Sequence, residues 1–221
     1  FNIPIALAIG VSTTLSMIIT IPISPALTTI AQQMATGINS FALLAIPFFI
    51  LSGYIMAQGG IANRLINFAK VIVSSLPGGL AYVNIIACMF FGAISGSAAA
   101  ATSAVGGVMI PSMNKEGYDK NFNTALTVTA STTGLLIPPS NILIIYSLAS
   151  GGVSISALFI AGYIPGLLIG LSLIFVSMIM ARINNYPSGL GYDLKDIISR
   201  SFEALPSLLL IYIVIGGIIK G

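Results

Sequence analysis

The chain has 221 residues, of which 57% are hydrophobic and 6% charged, with eight Lys and Arg against five Asp and Glu, no His and one Cys. A soluble domain carries roughly a quarter of charged residues and needs a polar exterior, so this composition excludes a water-soluble enzyme, a disordered segment and a nucleic-acid binder. The partner it demands is the lipid bilayer. A net charge of +3 on so few basic residues bears on orientation in the membrane, not on polyanions, and the lone Cys88 permits neither an internal disulfide nor a thiolate metal site. The first residue is Phe1 and not Met, which makes a piece of a longer protein the expectation.

Charged side chains cluster in four places: Arg64 with Lys70, the run from Lys115 to Lys120, the stretch from Arg182 to Glu203, and Lys220. A hydrocarbon core about 30 Å thick takes roughly 20 helical residues per crossing. Crossings are therefore predicted over 5–27 and 38–57, separated by a loop near 28–37, and over 155–181 and 202–219. Between 61 and 76 the apolar residues Ile61, Leu65, Phe68, Ala69 and Ile72 share one helical face, and two readings stay open: an interfacial helix or an ordinary helical linker.

Two stretches break the pattern. Residues 80–113 are long for one crossing and short for two, and their middle, from Gly92 to Ser97, is small and polar where a spanning helix should be apolar. A re-entrant helical hairpin with its tip inside the membrane is predicted. Irregular backbone at that depth survives only when buried in protein or lining a water-filled cavity. In residues 121–149 the run from Gly134 to Asn141 interrupts an apolar span and predicts a discontinuous helix. Charge fits this topology and two full crossings equally, and the glycine and serine tip is what favours the hairpin: in either case the loops 58–79, 114–120 and 182–201 lie on one side. Those loops hold every Lys and Arg except Lys220, which makes that side cytoplasmic. Three regions result: 1–79, transmembrane helices and the candidate interfacial helix; 80–149, a core of hairpin 80–113 and broken helix 121–149; and 150–221, further spanning helices.

The chemistry follows from the two breaks. Proline lacks an N–H and clashes with the carbonyl four residues earlier, so Pro138 and Pro139 free the carbonyls of Gly134 and Leu135. The half-helix beginning at Ser140 and Asn141, residues suited to capping, presents a partial positive charge. One break thus offers carbonyl oxygens to a cation and a helix N-terminus to an anion. At the hairpin tip Ser95, Gly96 and Ser97 add hydroxyls and closely approachable backbone. The small residues from Thr102 to Gly107 read as packing, and the series Thr127, Thr129, Ser131, Thr132 and Thr133 is ambiguous, since hydroxyls can bond back to their own helix. No Asp, Glu or His lies in a deep segment, which favours sodium over a proton as the coupling ion. Nucleophile and base cannot be assembled, so an enzyme is not expected.

The motifs from Phe41 to Gly53, Pro77 to Ala81, Phe91 to Ser97 and Leu136 to Ser140, in this order and spacing, resemble the large membrane (M) subunit of tripartite ATP-independent periplasmic (TRAP) transporters. The resemblance runs the length of this chain and corresponds to roughly the first half of such a subunit. It implies an all-α polytopic protein of the bacterial inner membrane, with one inverted repeat of an ion transporter superfamily elevator fold in view. It further implies a sodium gradient as driving force, a periplasmic substrate-binding protein and a small membrane (Q) subunit as partners. A small carboxylate, such as a C4-dicarboxylate or a sialic acid, is the implied substrate. On the matching positions, Ser95, Gly96, Ser97, Gly134, Leu135, Ile137 and Pro138 are the implied sodium ligands. Ser97, Pro139, Ser140 and Asn141 border the substrate. Many relatives have an acidic residue shortly after the tip serine where this chain has Ala99 to Ala101. A binding-protein-independent symporter of the same superfamily, and a channel or scaffold subunit whose small residues serve packing alone, remain as alternatives.

Overall fold

The computed structural model describes residues 3–39, 41–189, 191 and 193–220. Among these the chain is helical, and its strand pairing is limited to an isolated bridge between Pro77 and Ser188. Residues Phe1–Leu44 and Ala45–Gly221 form two compact units.

In the first unit, α1 (Ile5–Thr20) and α2 (Ile23–Ile38) pack on each other. The predicted crossing over 5–27 is thus interrupted at Ile21 and Pro22, and the predicted loop 28–37 is helix. Two causes are visible. Pro22 takes the N-cap position and Pro25 the first turn, where a missing N–H would be unpaired in any case, so both prolines start α2 and neither ends it. Thr28 and Thr36 then return their hydroxyl protons to the carbonyls of Ser24 and Gln32 at 2.9 and 2.8 Å, which hides polarity inside the helix.

The chain passes through α3 (Phe41–Gln58), which carries Pro47 in its interior, into the second unit. There α4 (Ile61–Val73) turns Ala62, Leu65, Ile66 and Ala69 inward against α5 (Gly79–Ser95) and α10 (Leu194–Lys220). Its apolar face is therefore rotated from the predicted one: Ile66 is buried and Ile72 is exposed. Residues 194–201, predicted as part of a loop, belong to α10.

The remaining helices are α6 (Ala98–Lys115), α7 (Lys120–Thr133), α8 (Asn141–Ala149) and α9 (Ile155–Ile183). Helix α5 is the hub, touched by α4, α6, α7 and α9, with most of its residues buried. Its Phe91 shares the core with Val105, Met109 and Met113 of α6. A polar seam runs through the same interface. The Asn84 amide donates to Thr127 Oγ1 at 2.7 Å, the Thr127 hydroxyl donates to the Asn123 carbonyl at 2.7 Å, and the Asn123 amide donates to Asn114 Oδ1 at 2.7 Å. In hydrocarbon, where lipid tails are as apolar as leucine, such bonds and close small-residue packing hold helices together in place of the hydrophobic effect.

Helix α9 is, among the described residues, the one helix long and apolar enough to cross a bilayer, and it lies on the predicted span 155–181. Ile160, Ile164, Leu168 and Phe175 are all about 60% exposed or more, while Gly162, Gly166 and Gly170 on the opposite side are buried. Exposed apolar area of this extent marks a surface for contact with lipid or with another protein surface. At the far end of α9 the backbone is latched to the turn before α5. The Gly78 amide donates to the Pro187 carbonyl at 3.2 Å and the Gly189 amide to the Ser74 carbonyl at 2.8 Å.

Candidate ion and substrate site

The predicted hairpin segment is two helices, α5 and α6, joined by Gly96 and Ser97. Gly96 has φ +62°, a left-handed conformation that side chains rarely adopt, and its amide closes α5 on the Gly92 carbonyl at 2.8 Å. Ser97 is the N-cap of α6: its hydroxyl accepts from the Ala100 amide at 3.2 Å. The Ser95 hydroxyl accepts from the Ser97 amide at 3.4 Å and donates to the Ser97 carbonyl at 3.3 Å, so it ties the turn. Ser95 and Gly96 are buried and Ser97 is half-buried.

The predicted broken helix is α7 and α8 with non-helical residues 134–140 between them. After Leu135 and Leu136 bond back to Thr132 and Thr133 at 3.1 Å, helical pairing stops. Among the described residues, no backbone amide reaches the carbonyls of residues 134–139. The Pro138–Pro139 peptide bond is cis. Ser140 holds the N-cap position of α8, yet its side chain makes no cap bond, contrary to the capping role its type suggested. Its hydroxyl and Asn141 Oδ1 are both buried and, among the described residues, without a hydrogen-bond partner. Leaving such groups unpaired costs about 1–3 kcal/mol each.

The two breaks meet. A Cβ placed on Gly92 would lie 2.7 Å from the Cα of Gly134, and one placed on Gly96 would lie 2.9 Å from Nδ2 of Asn141. This juxtaposition brings the C-terminal ends of α5 and α7 together, and sets the turn at Gly96, two residues before α6, against the first residue of α8. Two helix C-termini with unpaired carbonyls make a negative focus, and the N-terminus of α8 beside it makes a positive one. A donor set made only of carbonyl, hydroxyl and amide oxygens fits a hard monovalent cation, and the orphaned oxygens of Ser140 and Asn141 are available to a ligand at the same place. Of the predicted residues, Gly134, Pro138, Pro139, Ser140 and Asn141 are buried, while Leu135 and Ile137 are half-buried.

The ambiguous hydroxyl series divides. Thr129 and Thr132 bond back to the carbonyls of Ala125 and Thr129 at 2.8 and 2.7 Å, and Thr133 bonds back to Ala130. Thr127 and Ser131 bond back too and also meet α5: Thr127 accepts from Asn84, and Ser131 lies 3.5 Å from the Cys88 sulfur. In the packing stretch, Gly106 admits Thr127, since a Cβ there would lie 3.0 Å from the Thr127 methyl.

Sequence reasoning missed two neighbours of the site. Helix α9 backs the break: a Cβ on Gly162 would sit 2.4 Å from the Leu136 carbonyl oxygen, and one on Gly166 2.6 Å from the Ile137 side chain. The repeat of glycine at every fourth position from 162 to 170 was the available signal. Helix α3 faces the hairpin tip: a Cβ on Gly53 would lie 3.1 Å from the Ser95 carbonyl oxygen. A cavity of about 550 Å³ opens beside that contact, walled by Tyr54 and Gln58 on α3 and by Ser95, Ser97 and Ser103 on the hairpin. The signal there was two hydrogen-bonding side chains at the end of an apolar helix.

The family described as tripartite ATP-independent periplasmic transporter, DctM component, matches residues 1–221. The chain is 52% identical over 220 residues to the uncharacterized protein YgiK of Salmonella typhimurium, covering 100% of the chain and 51% of that protein. It is 42% identical to the C4-dicarboxylate TRAP transporter large permease protein DctM of Vibrio cholerae, covering 100% of the chain and 48% of that protein. To the sialic acid TRAP transporter large permease protein SiaM of the same organism it is 41% identical over 191 residues, covering 86% of the chain and 44% of that protein. The chain spans about half the length of the curated relatives it matches. It belongs to the DctM component family of tripartite ATP-independent periplasmic transporters.

Proposed function

We propose that the protein works in a bacterial inner membrane as part of the large subunit of a sodium-coupled secondary transporter. It imports a small organic acid delivered by a periplasmic binding protein, together with a small membrane subunit, by an elevator movement. The observation that carries this reading is the meeting of hairpin tip and helix break, Gly92 on Gly134 and Gly96 on Asn141, beside carbonyls without backbone partners and two orphaned side-chain oxygens. The unpaired carbonyls of residues 134–139 suit sodium, with Ser95, Gly96 and Ser97 completing its surroundings. The N-termini of α6 and α8 suit a carboxylate at Ser97, Pro139, Ser140 and Asn141. Relatives are named for C4-dicarboxylate and for sialic acid, which carry a carboxylate, and one for isethionate, which carries a sulfonate, so a small organic anion is the common denominator.

The test is uptake of candidate carboxylates into proteoliposomes holding the full-length subunit, its small subunit and the binding protein. Uptake that collapses when sodium is replaced by choline is the expected result. Uptake indifferent to sodium refutes the coupling, and undiminished uptake without the binding protein refutes the tripartite reading.

A further inference from the structure

Behind the break, on the side away from the hairpin tip's polar groups, α5, α9 and the end of α4 enclose an apolar hollow of about 490 Å³. Its floor is Ala93 and Gly170 together with Pro138, all buried; its rim is Ile72, Leu167 and Leu171, each about half exposed or more. The hollow opens beside Ala93, whose side chain is too small to fill it; at Gly170 the space is taken by Met89, whose terminal methyl would stand 2.5 Å from a Cβ built there. We propose that the hollow binds one acyl chain of a bilayer lipid.

Three observations select that occupant. First, water is disfavoured: a buried water needs two to four polar partners, and the Tyr163 hydroxyl is the one polar side-chain group among the lining residues. An apolar hollow left empty would forfeit the dispersion contacts of its whole lining. Second, the rim is continuous with the exposed apolar face of α9, carried by Ile164, Leu168 and Phe175, so the medium at the mouth is lipid. Third, the wall runs from Tyr163 to Ile174, about 16 Å along α9 at 1.5 Å per residue. Each end of it is about 12 Å or more from an end of that helix. At that depth the bilayer supplies chain and no headgroup. Since Ile137 and Pro138 line the hollow, an acyl chain there presses on the reverse side of the break.

The test uses the full-length transporter in liposomes containing a phosphatidylcholine with a diazirine near the end of one acyl chain. After irradiation, labelled residues are mapped by peptide mass spectrometry. Label is expected on the buried segments at 89–93 or 137–138 as well as on the outer face of α9. Ala93→Phe, which fills the floor, should lower labelling of the buried segments at least fivefold and leave that of Ile164 and Phe175 unchanged. Leu167→Trp at the exposed rim should do the same without touching the core. Buried segments that stay unlabelled while Ile164 and Phe175 are labelled would show that the rest of the transporter fills the hollow, and would overturn the assignment. So would labelling that neither variant alters.

Discussion

Gly92 of α5 and Gly134 at the end of α7 meet backbone to backbone: a Cβ built on Gly134 would stand 2.5 Å from the Cα of Gly92. Neither residue can gain a methyl group without parting the helices. This contact fixes how far the hairpin tip stands from the helix break, and so the spacing of every oxygen supplied by the two sides.

Gly92→Ala and Gly134→Ala should therefore separate the two halves of the site. Forcing a methyl into close-packed backbone costs about 1–3 kcal/mol. Both variants are expected to reach the membrane at normal levels, to melt several degrees lower in detergent and to lose at least nine-tenths of sodium-driven uptake. The control is Gly107→Ala, where a Cβ meets nothing within 4 Å. It should retain wild-type uptake.

Ser140→Ala tests the orphaned hydroxyl. Since Ser140 Oγ has no hydrogen-bond partner among the described residues, its removal should be neutral or stabilising by up to about 1 kcal/mol. Uptake should nonetheless show an apparent sodium or substrate affinity weakened about tenfold. A thermal-shift assay paired with uptake kinetics separates the two effects. A lower melting temperature with unchanged kinetics would contradict the assignment.

Ser97 serves both the cap of α6 and the proposed site, and two substitutions divide the roles. Ser97→Ala removes the acceptor for the Ala100 amide and should cost about 1 kcal/mol along with transport. Ser97→Asp keeps a capping oxygen, so it should melt near wild type. It also places a negative charge where the carboxylate is held, and should abolish uptake.

The Asn84–Thr127 bond, 2.7 Å and buried, ties α5 to α7. Thr127→Val leaves the Asn84 amide short of an acceptor and should cost about 1–3 kcal/mol. In a double-mutant cycle with Asn84→Leu the coupling should be at least about 0.5 kcal/mol, measured as unfolding in mixed detergent. Strict additivity would show that the bond carries no weight in the membrane.

Residues out of place for their surroundings are what made the site legible in the sequence. Ser95, Gly96 and Ser97 in the middle of an apolar run, and Pro138 and Pro139 within another, announce non-helical backbone because lipid cannot satisfy it. What stayed hidden depends on which way a helix turns. Helix α9 is apolar all round, and its glycine repeat marks a face for close packing without saying that the partner of Gly162 and Gly166 is the break. The rotation of α4, with Ile66 inward and Ile72 outward, is set by α5 and α10. Residues 28–37 misled for a simpler reason: polar side chains between apolar runs read as a loop, whereas Thr28 and Thr36 hide their hydroxyls against their own helix.

The latch at Ser74, Gly78, Pro187 and Gly189 has a topological consequence. The stretch from α5 to α9 leaves and returns at one spot, so it forms a ring clasped by two main-chain bonds. Cleaving the backbone beyond Gly189 would leave that ring shut, with hairpin, break and α9 still strung on one hoop. Unfastening the clasp would free its two ends from each other while every peptide bond stayed whole.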